Sequence, residues 1–236
     1  MEILFQDEHI IAVNKPAGML VHKTSLAADV RTGFVVQTLR DQIGQHVYPV
    51  HRLDRPTSGV LILGLSSESA RLLKAQFDQR TVQKTYVCLV RGYAESEGVL
   101  TYPLTKENGS IQESETHFTL IRHLELPISN ARFNNTRYSL LKVSPKTGRM
   151  HQIRRHFAKK RQYLLGDTKY GDLKSNRAFQ DYTGLTGLML HAKQLVLQHP
   201  TIGEMMKIEA NSPDWLHKIE DISTSDRLQW SYPESN

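Results

Sequence analysis

One short segment of the sequence gathers residue types that can do acid–base or nucleophilic chemistry. Residues 51–59 read HRLDRPTSG, so a single carboxylate, Asp54, lies between Arg52 and Arg55. A nearby cation favours the ionised form of a carboxylate, and an ionised carboxylate held in place can act as a nucleophile or a general base. Gly59 at the end of the segment allows a close backbone approach. Judged on these residues alone, an ordinary Asp–Arg network in a surface turn is the commoner interpretation.

The positive charge of the chain is concentrated in about one seventh of its length. The protein has 30 lysines and arginines and 24 aspartates and glutamates, a formal net charge of +6. Residues 146–177 contain ten of the basic residues and two acidic ones, Asp167 and Asp172, so this segment carries +8 and the rest of the chain −2. A solvated basic face is the alternative, but a local excess larger than the net charge favours contact with phosphate groups.

Composition indicates a globular protein without a membrane span. Apolar residues make up 39% and charged residues 23% of the 236 residues, which is typical of soluble domains. No stretch approaches the roughly 20 apolar residues that a membrane span needs, and the N-terminus lacks the regions of a secretory signal. The single cysteine, Cys88, excludes an intrachain disulfide and a cysteine-rich zinc site. We expect Cys88 to be buried and the protein to be cytoplasmic.

Two further patterns could suggest a metal, and neither is favoured. His151 and His156 are five residues apart, which takes them off one helical face, and no HExxH motif occurs. Asp167 and Asp172 could suggest magnesium, but each follows a glycine, and turn chemistry explains that pairing better. No metal site and no nucleotide cofactor are expected.

Hydrophobic periodicity and turn signals predict the elements that must position these residues. Strands are predicted at 9–14, 60–63, 85–90, 137–143 and 188–197, and helices at 29–43, from Ser66 or Ser67 to about 79, at 149–161 and at 215–222. Gly44 is expected to end the first helix. In the helix at 149–161, Ile153 and Phe157 are expected to face the core.

The order of these elements predicts an α+β fold around a mostly antiparallel sheet, because strands and helices mix without regular βαβ alternation. The polar stretch 95–135 is expected to form hairpins or a long insertion. We expect one domain over residues 1–224 and a loosely held tail at 225–236.

The segment at 51–59 resembles the HRLDxxTSG signature of the RluA family of pseudouridine synthases, and the resemblance continues in order along the chain. The other matching segments are NKPAG at 14–18 with VH at 21–22, KTY at 84–86 with VRG at 90–92, KTGRMHQIRRH at 146–156, GDTKYG at 166–171, LHA at 190–192, and HP at 199–200 with GE at 203–204. Seven ordered matches are specific, whereas one short match would be weak. The resemblance implies the pseudouridine synthase catalytic fold, a mixed sheet flanked by helices. Because NKPAG begins only fourteen residues into the chain, we expect no accessory RNA-binding domain before it.

The resemblance also implies roles for individual residues. Asp54 would be the essential aspartate, and Arg154 would pair with it. Tyr86 would stack on the flipped uracil, Arg52 would help to displace the target nucleotide, and Leu190 would line the base pocket. The further residues expected at the RNA are Arg55, Arg149, His151, Arg155, Lys159 and Lys160. Without the resemblance, Tyr86 and Leu190 would be interpreted as core residues and Arg154 as part of a rim salt bridge.

The implied reaction breaks the C1′–N1 bond of a uridine in structured RNA and rejoins the uracil through C5, with no redox change and no cofactor. The target base must leave the stack, which costs a few kcal/mol. Whether Asp54 attacks the sugar, attacks the base or removes a sugar proton is open. The segments 37–46, 55–56 and 171–177 look most like members that modify uridine 65 in the T-stem of tRNA. We therefore expect a tRNA substrate, and a monomer by default.

Three other interpretations stay open at this point. The same chemistry could act on ribosomal RNA or on another tRNA position. The chain could be a non-catalytic RNA-binding module. An aspartate-dependent glycosidase ranks last, because that reaction usually needs a second carboxylate as general acid, whereas the segment around Asp54 offers arginines.

Overall fold

The computed structural model describes residues 1–22, 33–129, 134–225 and 230–231. The helices are α1 Val35–Ile43, α2 Ser67–Asp78, α3 Gln152–Lys159, α4 Leu173–Thr183 and α5 Asp214–Ser225. The strands are β1 Glu2–Gln6, β2 Ile10–Lys15, β3 Tyr48–Pro49, β4 Ser58–Gly64, β5 Gln83–Arg91, β6 Glu97–Leu100, β7 Leu104–Thr105, β8 Ile111–Gln112, β9 Thr116–Leu126, β10 Thr136–Pro145, β11 Leu190–Gln198, β12 Met205–Glu209 and β13 Trp230–Ser231. Within these described ranges, no helix has the length and apolar character needed to cross a membrane.

The chain divides into two compact units. The first unit comprises Met1–Lys84 and His191–Asn211, and the second comprises Thr85–Leu190 and Ser212–Asn236. The single domain over residues 1–224 stays a prediction. The predicted tail at 225–236 lies outside the described residues, except for Ser225 and β13. The predicted start of the first helix, at 29–32, also lies outside them.

In the first unit, β1, β2 and β4 pair antiparallel, and β11 pairs parallel to β4. The parallel register places His191 opposite Ser58 and Ala192 opposite Gly59. All residues of β4 from Gly59 to Gly64 are buried, as expected for a central strand covered on both faces. The sheet is therefore mixed but mostly antiparallel, and the predicted α+β class is confirmed.

The two helices of the first unit begin or end where the sequence predicts. The Ser66 side chain accepts a hydrogen bond from the Ser69 amide at 3.1 Å, which caps α2. Leu73 on the inner face of α2 is fully buried. Gly44 ends α1 in the left-handed conformation with a φ of 69°. Both predicted caps are confirmed.

In the second unit, β10 pairs antiparallel with β5 and with β9, and β6 pairs with β9. Successive residues of β5 point to opposite faces, so Cys88 joins one apolar cluster and Leu89 another. Helix α3 packs Ile153 and Phe157 into the first of these clusters. The expectations that Cys88, Ile153 and Phe157 are buried are confirmed.

The second unit also differs from the sequence prediction. The stretch 95–135, in which hairpins or a long insertion are expected, contains the antiparallel pair of β7 with β8 and the eleven-residue strand β9, which pairs with β6 and β10. Helix α3 begins at Gln152, later than predicted, because His151 has a left-handed φ of 53° that cannot continue a helix. Helix α4 was not predicted. It begins because the Asp172 side chain accepts hydrogen bonds from the amides of Lys174 and Ser175.

A glycine substitution tests the close approach of β4 to β11. Gly59 has a φ of +110°, and a Cβ there would lie 2.2 Å from the Ala192 carbonyl oxygen. We expect Gly59→Ala to lower the free energy of unfolding by about 2–5 kcal/mol, because backbone must move to relieve the overlap and the positive φ is itself strained for alanine. The matched control is Gly44→Ala, which has a positive φ but open space around its Cβ, and should cost only about 1–2 kcal/mol. Urea unfolding followed by circular dichroism measures both, and equal losses would contradict the steric explanation.

Candidate active site

Asp54 lies on a turn between a half-buried histidine, His51, and the start of β4. Its side chain is half-buried, and its carbonyl oxygen accepts the Thr57 amide at 3.0 Å, which closes the turn. Arg52 and Arg55 on either side are exposed. The turn therefore presents one carboxylate at the protein surface between two cations.

Arg55 fastens this turn to the NKPAG segment. Its Nε donates to the Gly18 carbonyl oxygen at 3.0 Å, and the Gly18 amide donates to the Arg55 carbonyl oxygen at 2.8 Å. Two reciprocal hydrogen bonds fix the distance between segments that are 37 residues apart in the sequence. The predicted contact of Arg55 with RNA stays a prediction, and the structure shows that the residue also has this local role.

Beneath the turn lies a buried lysine that the sequence analysis did not single out. The Lys15 side chain is fully buried, and its Nζ donates to the carbonyl oxygens of Pro16 at 2.9 Å, Met19 at 2.8 Å and Arg55 at 3.2 Å. Burial lowers the pKa of Lys15 to about 8, and the negative charge of Asp54 opposes that shift. Lys15 thus supplies a positive charge on the inner side of the Asp54 turn. The sequence signal was a lysine at the end of an apolar strand.

His51 fixes the chain where it enters the turn. Its Nε2 accepts the Ile62 amide at 3.1 Å, and its ring stacks on Phe77 with 4.5 Å between the centroids. Burial lowers the pKa of His51 to about 3, and the positive charge of Lys84 lowers it further. The ring is therefore neutral at neutral pH, with its proton on Nδ1. Anchored to β4 and to α2, His51 leaves the next residues little freedom.

A buried histidine, His191, connects β11 to Ser58 near the end of the motif at 51–59. His191 Nδ1 and Ser58 Oγ are 2.8 Å apart, across the parallel pairing of β11 with β4. Only 1% of His191 is exposed, and burial lowers its pKa to about 4. The LHA and TSG segments of the sequence thus meet in the first unit.

In the second unit, Arg154 forms a buried ion pair with Asp167. Its Nε lies 2.8 Å from Asp167 Oδ2, and its Nη2 lies 2.8 Å from Asp167 Oδ1. Only 5% of Arg154 and 2% of Asp167 are exposed. Burial raises the pKa of Asp167, but the bonds from Arg154 and from the Tyr170 and Lys169 amides outweigh it, so the pKa falls below its usual value. Asp167 has the predicted turn role, and it has an ionic role that the sequence did not show.

Tyr86 and Leu190 belong to one apolar cluster of the second unit. Tyr86 lies on β5 opposite Val143 of β10, is half-buried, and packs against the cluster that contains Leu190 and Ile153. Leu190 is only 3% exposed. The structure therefore brings these two predicted site residues together, with the helix that carries Arg154 packed against the same cluster.

Several of the basic residues that are predicted to bind RNA make contacts within the protein. Three of them contact the polar stretch 95–113 and do not lie free at the surface. Arg149 Nε donates to the Glu113 carbonyl oxygen at 3.1 Å, and Arg155 Nη2 donates to that of Thr105 at 3.0 Å. Lys160 Nζ forms an ion pair with Glu95 at 2.8 Å. The other two members of this set are Lys159, which is exposed and lies over the Tyr102 ring, and His151, whose Nδ1 is 2.9 Å from the Tyr170 hydroxyl.

Both aspartates of the basic segment accept hydrogen bonds from backbone amides that follow them in the chain. Asp167 does so in a turn, as expected, and Asp172 does so at the start of a helix. Asp172 caps α4 through Oδ1, and its Oδ2 lies 2.5 Å from Arg91 Nη1. Asp167 accepts the amides of Lys169 and Tyr170. In the described parts of the chain, no three His, Cys, Asp or Glu side chains cluster as metal ligands would.

Comparison with known proteins identifies the family. Residues 9–159, which include the Asp54 turn and all of α3, match the model of a family described as RNA pseudouridylate synthase. The chain belongs to this family. The predicted activity of an RNA pseudouridine synthase is thereby confirmed.

Two curated relatives are similar over nearly their full length. A Yersinia pestis protein named tRNA pseudouridine synthase C is 48% identical over 89% of this chain and 86% of its own. A Pasteurella multocida protein of the same name is 48% identical over 93% of this chain and 95% of its own. Among solved structures, the human RNA pseudouridylate synthase domain containing 1 protein superposes with a TM-score of 0.74 at 22% identity, over 100% of this chain and 90% of that one. That likeness confirms the predicted pseudouridine synthase fold.

His51, at the start of the Asp54 turn, predicts a pH dependence of stability. The folded state binds a proton at His51 only below a pKa of about 3, whereas the unfolded chain binds it below the ordinary value of 6.5. Between these values the unfolded state holds more protons, so stability falls as pH falls. We expect the stability of His51→Gln, which keeps an acceptor for the Ile62 amide, to depend less on pH. Between about pH 6 and pH 5, its free energy of unfolding should fall by about 1 kcal/mol less than that of the wild type.

Urea unfolding at several pH values measures this difference. The two proteins compared at pH 8, where histidine is neutral in both states, give the part of the stability change that is unrelated to protonation. Parallel pH profiles for wild type and His51→Gln would contradict a His51 that is neutral in the folded state.

Proposed function

We propose that this pseudouridine synthase acts on tRNA and converts the uridine at position 65 of the T-stem into pseudouridine. Support for a tRNA substrate comes from the two relatives named tRNA pseudouridine synthase C, each 48% identical over most of both chains. Support for the chemistry comes from one observation, the half-buried Asp54 carboxylate on a turn that a buried ammonium and two reciprocal hydrogen bonds hold in place.

In this proposal Asp54 reacts with the everted nucleotide as an ionised carboxylate. The buried Lys15 ammonium interacts with Asp54 through charge. The ionised carboxylate then attacks the sugar or the base, or removes a sugar proton once the C1′–N1 bond has opened. Arg52, which is exposed beside Asp54, occupies part of the space that the base leaves.

Three further residues, Tyr86, Leu190 and Arg154, are assigned to the proposed site. The half-buried Tyr86 ring stacks on the uracil, an interaction worth roughly 1–3 kcal/mol. Leu190 supplies apolar surface for the base, and Arg154 pairs with the Asp54 carboxylate as the family resemblance implies. Local geometry supports these roles, because Tyr86 and Leu190 share one apolar cluster and α3, which carries Arg154, packs on it.

The basic segment 146–177 binds phosphates on either side of the target nucleotide in this proposal. Its exposed cations, which solvent and RNA can reach, are Lys146, Lys159, Arg161, Lys169, Lys174 and Arg177. Phosphate contacts of this kind release counterions and offset the cost of base eversion. We further propose that the enzyme works in the cytoplasm as a monomer.

Removal of the Asp54 charge tests the catalytic proposal. We expect Asp54→Asn to lower the turnover number about 100-fold or more, because an amide is neither a nucleophile nor a base. RNA binding, measured by filter retention of labelled tRNA, should be largely kept. Asp78→Asn on α2 is the matched control, since Asp78 is an exposed carboxylate of the same unit, and it should turn over like the wild type. Unchanged turnover in Asp54→Asn would favour a non-catalytic RNA-binding protein.

Position-resolved detection of pseudouridine tests the substrate. We expect the purified protein to modify uridine 65 of unmodified tRNA transcripts, and transcripts with cytidine at that position should stay unmodified. The Asp54→Asn protein serves as the control for background signal. Modification of ribosomal RNA, or of another tRNA uridine with position 65 left intact, would show the same chemistry on a different target and would overturn the assignment.

A further inference from the structure

We propose that Asp167 is a positioning residue for catalysis, which holds the guanidinium of Arg154 in one orientation with the help of the Tyr170 ring. This inference rests on the proposed function of Arg154 at the Asp54 carboxylate. Nothing in the sequence pattern assigns such a role to Asp167, which a turn explains by itself.

The ion pair uses one edge of the guanidinium and leaves the other edge directed elsewhere. Nε and Nη2 of Arg154 each lie 2.8 Å from a different oxygen of Asp167. Two parallel N–H···O bonds fix the plane of the guanidinium as well as its position. The three other N–H groups of Arg154 therefore point in directions that Asp167 determines.

The carboxylate that fixes Arg154 is itself held by the backbone. Asp167 Oδ1 accepts the amides of Lys169 at 2.9 Å and Tyr170 at 3.0 Å. Its carbonyl oxygen accepts the Gly171 amide at 3.1 Å and Asn176 Nδ2 at 3.0 Å. A carboxylate with backbone donors on one oxygen and a closed turn behind it cannot rotate freely, so its position is set before Arg154 binds to it.

Tyr170 encloses the guanidinium on a second side. The Arg154 guanidinium carbon lies 5.2 Å from the centroid of the Tyr170 ring, which is within the range of a cation–π contact. The Tyr170 hydroxyl is 2.9 Å from Nδ1 of His151, the residue that precedes α3. The helix that carries Arg154 and the turn that carries Asp167 are therefore joined twice, once through charge and once through an aromatic ring.

Comparison with a neighbouring ion pair favours a role for the Arg154–Asp167 pair in orienting the guanidinium, and not in stability alone. Asp172 also accepts backbone amides, at the start of α4, and pairs with an arginine, Arg91, but those two side chains are 30% and 38% exposed. Arg154 and Asp167 are almost fully buried, where an ion pair adds little net stability because both charges lose water. A reacting group, in contrast, gains from being held, since a displacement of about 1 Å can cost about 100-fold in rate.

Asp167→Asn replaces one of the two carboxylate oxygens and keeps the other. Asparagine keeps Oδ1, which receives both turn amides and Nη2 of Arg154, and it replaces Oδ2, the acceptor for Nε, with a donor. We expect the turnover number on tRNA to fall about 100-fold, with the KM and the affinity for tRNA within about twofold of wild type. Asp172→Asn is the matched control, and it should keep the wild-type turnover number even if its melting temperature falls.

A second variant and a double variant keep the test decisive. Tyr170→Leu leaves the ion pair and removes the ring, and it should lower the turnover number about tenfold; it carries the test if Asp167→Asn does not fold. In an Arg154→Lys background, Asp167→Asn should have little further effect, because both changes remove the same interaction. Additive losses in the double variant would overturn a role that acts through Arg154.

The failure of this inference and the failure of the proposed function give different results. If Arg154→Lys keeps full turnover, the proposed function of Arg154 is wrong and the role of Asp167 falls with it. If Arg154→Lys loses turnover while a folded Asp167→Asn keeps it, only the positioning role is wrong. A drop in tRNA affinity with an unchanged turnover number would also overturn the inference, since it would place Asp167 in RNA binding.

Discussion

Two buried cations, Lys15 and Arg154, are the constraint on which the arrangement of the proposed site residues depends. A charged side chain without water must be solvated by fixed acceptors, and the two cations find different ones. Lys15 takes three carbonyl oxygens, one of them from the residue after Asp54. Arg154 takes the Asp167 carboxylate. Each solution holds a loop in one conformation. The first loop carries Asp54, and the second carries Asp167, which orients Arg154.

Some basic residues of the segment 146–177 bind groups of the protein, and others are exposed to phosphates. The net charge of +8 does not show which residues do which. Arg149, Arg155 and Lys160 bind acceptors in the stretch 95–113 and so hold that stretch against α3. The exposed lysines and arginines of the segment are the ones that phosphates can reach. A count of charges therefore overstates the number of phosphate contacts, since an arginine that solvates protein carbonyls has fewer donors left for RNA.

Local signals in the sequence were sufficient to predict most of the helices and strands. Contacts between residues that are distant in the sequence could not be predicted from such signals. Ser66 at the start of α2 and Gly44 after α1 act through neighbours in the chain, so their caps could be predicted. The Arg154–Asp167 pair joins a helix to a turn, and Asp167 alone indicates only the turn. Lys15 is similar, because its partner carbonyl at Arg55 is 40 residues away. β9 was missed because its exposed face is polar, which lowers the apolar content of its sequence.

The residues that match the family model include most, but not all, of the proposed site. The match covers residues 9–159, and therefore Asp54, Tyr86 and Arg154. Helix α4, with the exposed cations Lys174 and Arg177, lies beyond it. Phosphate contacts fix where an enzyme sits on a nucleic acid without reading its bases, so their placement decides which uridine reaches a common reacting centre. The match therefore accounts for the shared reaction through residues 9–159, and the phosphate contacts proposed for α4 lie outside it.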